Sequence, residues 1–281
     1  MNNFTLRIIS GSAMIAVIFL LIFFGKTTGI YLLANIIGIF SLLEYFKLKN
    51  VSNKIVILSN IGLFIGSIFT LVAHFPYFGF TNIHLVVSIF MGYLIFFGIM
   101  QWIYRKQVSV FVQQFAQLYI TLPLACFILI PTQGFKFPFN PEIDFNPNLA
   151  LMLFILVWSS DSWAYAAGKL FGKTKLAPSI SPGKTWEGFI GGAILTAATS
   201  WAFNLYVLNS TSQFTDINAV LLGLFIATFG TLGDLFESSL KRKAGLKDSG
   251  NIIPGNGGML DRFDAFLFAS VVMFLTIWLL K

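Results

Sequence analysis

Blocks of about 20 consecutive, mainly apolar residues recur along the whole sequence and constrain its fold more than any other feature. A helix of that length spans the hydrocarbon core of a bilayer, and in lipid every backbone polar group needs a partner within the structure. A membrane β-barrel would instead show short segments of alternating polarity. The sequence therefore predicts an all-α polytopic integral membrane protein. We count nine blocks, at about residues 7–24, 28–46, 55–73, 83–104, 109–131, 148–169, 186–208, 217–237 and 260–280.

The basic residues predict how these helices are oriented. With the N-terminus in the cytoplasm, all but three of the 18 lysines and arginines fall at cytoplasmic helix ends, as the positive-inside rule requires. The exceptions are Lys26, Lys136 and Lys281. The C-terminus is then expected outside, and the net charge of +7 belongs to a cytoplasmic face that suits anionic lipid headgroups and phosphorylated substrates. No soluble module exists to bind nucleic acid, and no small-residue cleavage site follows the first block, which we expect to be a retained helix.

The charge distribution divides the chain into two halves of one membrane domain, 1–281. Residues 1–150 form a hydrophobic helical scaffold with one acidic residue inside a block, Glu44. Residues 151–281 carry nearly all of the intramembrane charge, so we expect them to form the catalytic half. The Pro- and Asn-rich segment 132–148 predicts an external loop. Glu44, His74 and His84 receive no predicted role.

A carboxylate lies within the sixth block, in the sequence SSDSWAYAAGKLFGK (159–173). Asp161 is surrounded by serines, and small residues such as Ala164 and Gly168 allow a neighbouring helix to approach closely. A polar patch that only holds helices together is the alternative interpretation. Because a carboxylate inside a membrane is energetically expensive, we predict a functional role for Asp161.

The sequence SISPGKTWEG (179–188) contains residue types that bind phosphate. Pro182–Gly183 predicts a turn, and Thr185 is placed to cap the next helix, whose free N–H groups would lie beside Lys184. Ser181, Lys184 and Thr185 would then form a phosphate cradle, although the glycine spacing of a Walker A loop is absent. An ordinary loop and helix cap, with a glutamate in the first turn, explains the same residues without a ligand.

Acidic, basic and glycine residues concentrate between residues 233 and 264. Asp234 and Glu237 are spaced i, i+3, as are Asp261 and Asp264, so each pair shares a helix face. Four carboxylates at one membrane depth would repel one another unless a cation lay between them, and hard oxygen ligands favour Mg²⁺. The intervening lysines and arginine suit phosphate oxygens, and the glycine turn lets the backbone approach a ligand. A basic membrane anchor followed by a turn would explain the lysines and glycines but not the four acids.

Three short motifs, SSLKR (238–242), KD (247–248) and PGNGGMLDRFD (254–264), together resemble the signature of the phosphatidate cytidylyltransferase family, the CDP-diacylglycerol synthases. DSWAYAAGKLFGK-like and SPGKTWEG-like elements precede this signature in the family, and both stand here in the same order. The resemblance is specific over about residues 159–264, while only general hydrophobicity is shared before that.

Two positions depart from the family pattern. Asn256 stands where the signature commonly has His, and Gly183 stands where Lys is common. Asn can donate and accept hydrogen bonds but cannot take up a proton near neutral pH, so we assign no acid–base role to Asn256. The glycine removes one phosphate contact from the SPGKT element.

The resemblance implies transfer of a cytidylyl group from CTP to phosphatidate, with release of pyrophosphate, for phospholipid biosynthesis. It also implies Mg²⁺, with more than one cation, and a homodimer; CTP, phosphatidate and membrane lipids are then the partners. The expected location is a bacterial inner membrane, with the active site facing the cytoplasm. We predict metal ligation by Asp234, Asp261, Asp264, Glu237 and Asp161, catalytic roles for Asp234, Asp261, Asp264, Lys241 and Arg242, and contacts to nucleotide or lipid phosphate from Ser181, Lys184, Thr185, Lys247, Asn256, Gly257, Gly258 and Arg262.

Two other functions stay open at the level of sequence. An ion-coupled transporter would also place carboxylates in the membrane, but many transporters are built from internal repeats, and we find no convincing repeat here. A CTP-dependent polyprenol or dolichol kinase would need the same nucleotide and metal. It would release CDP and a phosphorylated lipid, rather than pyrophosphate and a CDP-lipid.

Overall fold

The computed structural model describes residues 3–73, 95, 97–131, 145–208 and 214–279, which are predominantly helical, as predicted. Residues 132–144 of the expected external loop, both histidines and most of the block at 83–104 lie outside these described residues. The helices are α1 (Asn3–Phe23), α2 (Lys26–Leu48), α3 (Lys54–Ala73), α4 (Val110–Ala116), α5 (Leu122–Leu129), α6 (Pro147–Phe171), α7 (Trp186–Phe203), α8 (Asp216–Lys243) and α9 (Leu260–Leu279). Two π-helical turns, π1 (Gln117–Thr121) and π2 (Asn204–Leu208), join α4 to α5 and extend α7.

Seven helices in the described part of the chain are long and apolar enough to cross a membrane, and the apolar segment Lys54–Phe69 is shorter. The all-α polytopic membrane fold predicted from the apolar blocks is therefore confirmed. The count of nine spans and the positions of the two termini stay predictions, because the fourth block falls largely outside the described residues.

A small antiparallel sheet interrupts the helices between α6 and α7. It consists of β1 (Lys175–Ala177) and β2 (Ser181–Thr185), with Lys175 opposite Thr185. The predicted turn at Pro182–Gly183 is wrong, because both residues lie within β2 and the chain turns at 178–180 instead. Proline is tolerated here because each strand of a two-stranded sheet has a free edge, where no N–H is needed for pairing.

The chain divides into two compact units, each with its own interior. The first contains α1 to α4, most of α5 and the loop Asp248–Leu260. Helix α2 packs against α1 and α3 within it, and Gly38 lies so close to the ring of Phe64 that no side chain could fit there. The last two turns of α2 include the buried residues Glu44 and Tyr45.

The second unit contains Asn146–Lys247 and the chain from Asp261 onward. Small residues hold its helices together, as the sequence predicted for α6: a Cβ on Gly192 of α7 would lie 2.8 Å from the Cβ of Ala164. The hydroxyl of Ser200 donates to the carbonyl of Ala219 at 2.6 Å and ties α7 to α8. The prediction that residues 151–281 form the catalytic half concerns function, and the division into two compact units does not test it.

The contact between α7 and α8 gives a direct test of this packing. Replacing Gly223 with Ala should destabilise the protein by about 1–3 kcal/mol, because the new methyl group would lie 2.6 Å from Cα of Ala197 and 2.7 Å from the carbonyl oxygen of Thr196. The matched change is Gly98→Ala, in the helical stretch 97–104, where the new methyl group meets no atom within 4 Å in the part of the chain that the structure describes. It should be neutral or stabilising, since Ala is the better helix former. Thermal unfolding in detergent measures both variants, and equal midpoints would contradict the close approach.

Candidate functional site

The carboxylates predicted on α8 and α9 lie beside a close contact between these two helices in the second unit. Gly233 makes this possible, because a Cβ at that position would lie 2.6 Å from the carbonyl oxygen of Asp264. Asp234 follows directly on α8, while Asp261 and Asp264 occupy the first two turns of α9. The backbone contact at Gly233 therefore brings the two acidic pairs to one level of the unit.

Lys241 binds two of these acids. Its Nζ lies 2.7 Å from Oδ1 of Asp261 and also contacts Oε2 of Glu237, which is one helical turn earlier on α8. Glu237 is fully buried, with 0% of its side chain exposed. A buried carboxylate is tolerated only when it is paired or hydrogen-bonded, so Lys241 serves here as the counter-charge that allows Glu237 and Asp261 to occupy the interior.

The other three acids form a second cluster. Asp161, Asp234 and Asp264 interact electrostatically in every pairwise combination. Lys184 of β2 forms an ion pair with Asp234, with Nζ and Oδ2 at 2.6 Å. Ser238 also donates to Oδ1 of Asp234 at 3.2 Å. Of the five predicted metal ligands, two are thus held by Lys241, and three interact with one another, with Lys184 paired to Asp234. Asp264 also interacts electrostatically with Glu237 and Lys241, so the two groups are not isolated from each other.

A cleft of about 530 Å³ opens beside this second cluster, entirely within the second unit. Its volume lies in the range of small-molecule sites. Carboxylates, amines, hydroxyls and apolar side chains line different parts of the wall, so the cleft suits a ligand with both charged and apolar groups. The lining residues are Asp161, Ala164, Tyr165, Gly168, Lys169, Leu176, Ser181, Gly183, Lys184, Thr185, Gly188, Phe189, Thr231 and Asp234.

Hydrogen bonds join both ends of the hairpin that carries Lys184 to the start of α7. The hydroxyl of Thr185 accepts from the N–H of Gly188 at 3.1 Å, which confirms the predicted N-cap of α7. Glu187 accepts from the backbone N–H groups of Lys173 and Thr174, and thereby ties the end of α6 to the start of α7. The predicted phosphate cradle of Ser181, Lys184 and Thr185 lies along the cleft wall.

The remaining basic residues of the predicted site are more exposed. Arg242 donates to the backbone carbonyls of Ile180 and Leu246, at 3.4 and 3.1 Å, which links the end of α8 to the hairpin. Lys247 and Arg262 are also exposed, and Arg262 interacts electrostatically with Asp161. Their predicted contacts to phosphate stay predictions.

The glycine-rich part of the signature lies in the first unit. Asn256 donates from its amide to the carbonyl of Arg7 and to the hydroxyl of Ser10, at 3.1 and 2.8 Å. Arg7 in turn donates to the carbonyl of Gly255 at 2.8 Å, so α1 and this loop are bonded in both directions. Gly257 has φ +89°, a left-handed conformation that favours glycine. In this structure Asn256 bonds to α1, a contact that its position in the sequence did not indicate.

Glu44 received no predicted role from the sequence, but the structure gives it specific partners. It is 3% exposed, and it accepts hydrogen bonds from Ser249 and from the backbone N–H groups of Met259 and Leu260. The available signal was its status as the lone acidic residue inside an apolar block of the scaffold. No spacing rule links it to partners more than 200 positions away.

The carboxylate oxygens of the second unit can be compared with the ligands that the predicted Mg²⁺ requires. Within the described ranges, no group of three or more acids, histidines or cysteines is gathered closely enough to hold a metal ion. Mg²⁺ usually takes only one or two carboxylates and completes its shell with water and substrate phosphates. The cluster of Asp161, Asp234 and Asp264 supplies oxygen donors of that kind, so the residues present fit a cation that binds together with a phosphorylated substrate.

Proteins named phosphatidate cytidylyltransferase from Bacillus subtilis (strain 168) and Haemophilus influenzae are 48% identical over 120 residues and 46% identical over 127 residues. These matches cover 43% and 45% of this chain, and 44% of each relative. One of the same name from Staphylococcus aureus (strain COL) is 46% identical over 140 residues, which is 48% of this chain and 50% of that protein. This chain therefore spans about half the length of the curated relatives it matches.

The family profile covers far more of the chain than these pairwise matches do. It is the profile of the Cytidylyltransferase family, and it matches residues 5–280, which include both acidic clusters and the hairpin. The chain belongs to the Cytidylyltransferase family.

Proposed function

We propose that this protein transfers the cytidylyl group of CTP to phosphatidate and releases CDP-diacylglycerol and pyrophosphate. The observation that carries the proposal is the cleft of the second unit, whose wall includes Lys184, two hydroxyl residues of the same strand, and the carboxylates of Asp161 and Asp234. Lys184 is paired with Asp234. The relatives that carry the name phosphatidate cytidylyltransferase support the choice of substrates.

The reaction needs little proton chemistry. A phosphate oxygen of phosphatidate attacks the α-phosphorus of CTP, the new O–P bond forms, and the bond to the β-phosphate breaks, so the electron pair leaves with pyrophosphate. Phosphatidate already carries a negative oxygen, and no general base is required. The main difficulty is to bring two polyanions together in line, which makes positioning and charge neutralisation the dominant contributions.

Lys184 is placed to supply part of that neutralisation. Its amine is now bonded to Asp234 and lies on the cleft wall with Ser181 and Thr185. When a substrate phosphate enters, the amine can exchange the carboxylate for a phosphate oxygen, because a doubly charged phosphate is the stronger acceptor. Asp234 then becomes available as a ligand for a cation.

We assign the cation to one or two carboxylates among Asp161, Asp234 and Asp264, which interact electrostatically with one another. Bound Mg²⁺ would offset the charge of the triphosphate and of the pyrophosphate leaving group. Glu237 and Asp261 are bonded to Lys241 in the structure, so we assign them a supporting role next to that cluster. A second cation and a homodimer stay predictions from the family resemblance.

The membrane setting fits a lipid substrate. Apolar residues Tyr165, Leu176 and Phe189 line the cleft together with the charged groups, and the α6 and α7 surfaces nearby expose large hydrophobic side chains such as Leu170 and Ile190. We propose that the acyl chains of phosphatidate enter sideways between helices, from the inner leaflet of a bacterial inner membrane. The cytoplasmic face then supplies CTP.

The product assay uses detergent-solubilised protein with CTP, phosphatidate and Mg²⁺. We expect CDP-diacylglycerol and pyrophosphate in equal amounts, and no release without phosphatidate. CDP together with a phosphorylated lipid would instead identify a kinase. Absence of any reaction from folded protein, with substrate-dependent ion flux in liposomes, would identify a transporter.

Replacing Lys184 with Met should lower kcat/KM for CTP by about 100-fold, the effect of removing one charged donor that faces the reacting phosphates. Lys175→Met is the matched control, because Lys175 lies on the neighbouring strand of the same hairpin, is exposed and does not line the cleft. Steady-state pyrophosphate release measures both variants. A similar loss in both, or in neither, would rule out a specific role for Lys184.

A further inference from the structure

Glu44 is a carboxylate in the interior of the first unit, on the last two turns of α2. It is 3% exposed. Burial of a carboxylate is expensive unless the protein supplies hydrogen bonds that replace those of water. The catalytic proposal above gives Glu44 no task, so its partners must explain its position.

The loop Asp248–Leu260 supplies those partners. Oε2 accepts from the hydroxyl of Ser249 at 2.9 Å and from the N–H of Leu260 at 2.7 Å. Oε1 accepts from the N–H of Met259 at 2.9 Å. Both oxygens are thus bonded to the loop, and the bonds hold its first and last parts to the same side chain.

Two glycines of the loop lie directly against this carboxylate. A Cβ at Gly250 would lie 2.3 Å from Oε1 of Glu44, and a Cβ at Gly258 would lie 2.6 Å from both of its oxygens and 2.2 Å from the hydroxyl of Ser249. No side chain fits at either position while Glu44 stays in place. The loop therefore packs closely against the Glu44 carboxylate both at Gly250 and at Gly258.

One of these bonds fixes the start of α9. Leu260 is its first residue, and the first N–H groups of a helix have no acceptor within the helix. A carboxylate at that end satisfies such a donor and interacts favourably with the helix dipole. Asp261 is covalently next, and Asp264 follows one turn later. The direction in which both carboxylates leave α9 therefore depends on how its first turn is held.

We propose that Glu44 is a positioning residue, which anchors the signature loop and the first turn of α9 and thereby sets the geometry of Asp261 and Asp264. The chemical part of this inference rests on the proposed cytidylyl transfer. The anchoring part does not, because it concerns hydrogen bonds that can be observed without substrate.

The substitution Glu44→Gln tests both parts, since it keeps the size of the side chain and replaces one acceptor oxygen with a donor. We expect the Met259 and Leu260 amides to exchange with deuterium at least about tenfold faster, as loss of a charge-assisted hydrogen bond predicts. We also expect kcat to fall by about 10- to 100-fold, with KM for phosphatidate changed less than about twofold and a higher Mg²⁺ concentration at half-maximal rate. A role confined to folding would lower the amount of active protein without changing the Mg²⁺ dependence.

Ser41→Ala is the matched control. Ser41 lies one turn earlier on α2 and is completely buried, and its hydroxyl has no hydrogen-bond partner among the residues that the structure describes. It should leave amide exchange in the loop and the kinetic constants unchanged. If Glu44→Gln fails to fold, Ser249→Ala removes one of the three donors without touching Glu44, and should change exchange and kcat in the same direction by about tenfold or less.

The outcomes separate this inference from the proposed function. Normal exchange at Met259 and Leu260 in both variants overturns the anchoring. Faster exchange with unchanged kcat and Mg²⁺ dependence overturns the positioning role. If the variants show faster exchange but the wild-type protein makes no CDP-diacylglycerol, the anchoring is supported and the proposed cytidylyl transfer is rejected.

Discussion

Asp264→Asn should lower the kcat of pyrophosphate release by about 1,000-fold or more, while the protein stays folded. Asp264 interacts electrostatically with Asp234 and Asp161, and it lies on α9 where that helix touches α8 at Gly233. The amide has the shape of the carboxylate but no charge to hold a cation or offset a lysine. Loss of one preorganised electrostatic group commonly costs two to three powers of ten, and a cation site depends on several such groups at once.

The matched control is Asp216→Asn, which makes the same chemical change in the first turn of α8, where the side chain is exposed and at the opposite end of that helix. It should retain wild-type kcat. Both variants are measured in the same detergent with CTP, phosphatidate and a Mg²⁺ titration, next to thermal unfolding. An Asp264→Asn variant that keeps its rate across the titration would remove this residue from the cation site.

Lys241→Met should destabilise the protein by about 3–5 kcal/mol, the range measured when one partner of a buried ion pair is removed. The amine contacts both Glu237 and Asp261, and Glu237 has no exposed surface on which to regain water. Methionine fills a similar volume, so the loss comes from charge rather than from a cavity. Chemical or thermal unfolding in detergent measures the change, and activity should be lost with it.

A second substitution distinguishes this explanation from simple loss of packing. The double variant Glu237→Gln with Lys241→Met removes the stranded charge and should recover part of the stability, because a neutral pair in the interior costs much less than an isolated carboxylate. The same Glu237→Gln change in the presence of Lys241 should be destabilising or neutral. A double variant no more stable than Lys241→Met alone would show that the carboxylate is not the source of the loss.

The sequence predicted the helices and the acidic clusters for separate physical reasons. Apolar runs of bilayer length must be helical in lipid, so α6 to α9 appear close to their predicted positions. The i, i+3 spacing places Asp234 and Glu237 on one face of α8, and the N-cap at Thr185 follows from local chemistry. These features depend on residues within one or two turns of each other, which is the range that a sequence pattern records.

The features that were missed depend on partners or backbone choices beyond that range. The ion pairs of Lys241 with Glu237 and Asp261 were not predicted, because they follow from the burial of Glu237, which requires a counter-charge. The contact of Lys241 to phosphate stays a prediction. Pro182 was expected in a turn and lies in a strand, because Pro178 and its neighbours already supply the turn. The bonds of Glu44 to the signature loop join positions far apart in the chain, and no spacing pattern records them.

Because Glu44 and its hydrogen-bond donors are far apart along the chain, the ribosome makes Glu44 long before it makes the donors. Ser249 is made 205 residues after Glu44, and Leu260 follows 216 residues after it. Domains generally fold as they leave the ribosome, beginning with the N-terminal part, yet this carboxylate has none of its three hydrogen-bond donors until α8 is complete. A nascent chain that stops before residue 249 therefore holds an uncompensated acid among its first helices. Such a fragment should insert into the membrane but fail to pack, which makes it a substrate for quality-control proteolysis rather than a stable half-protein.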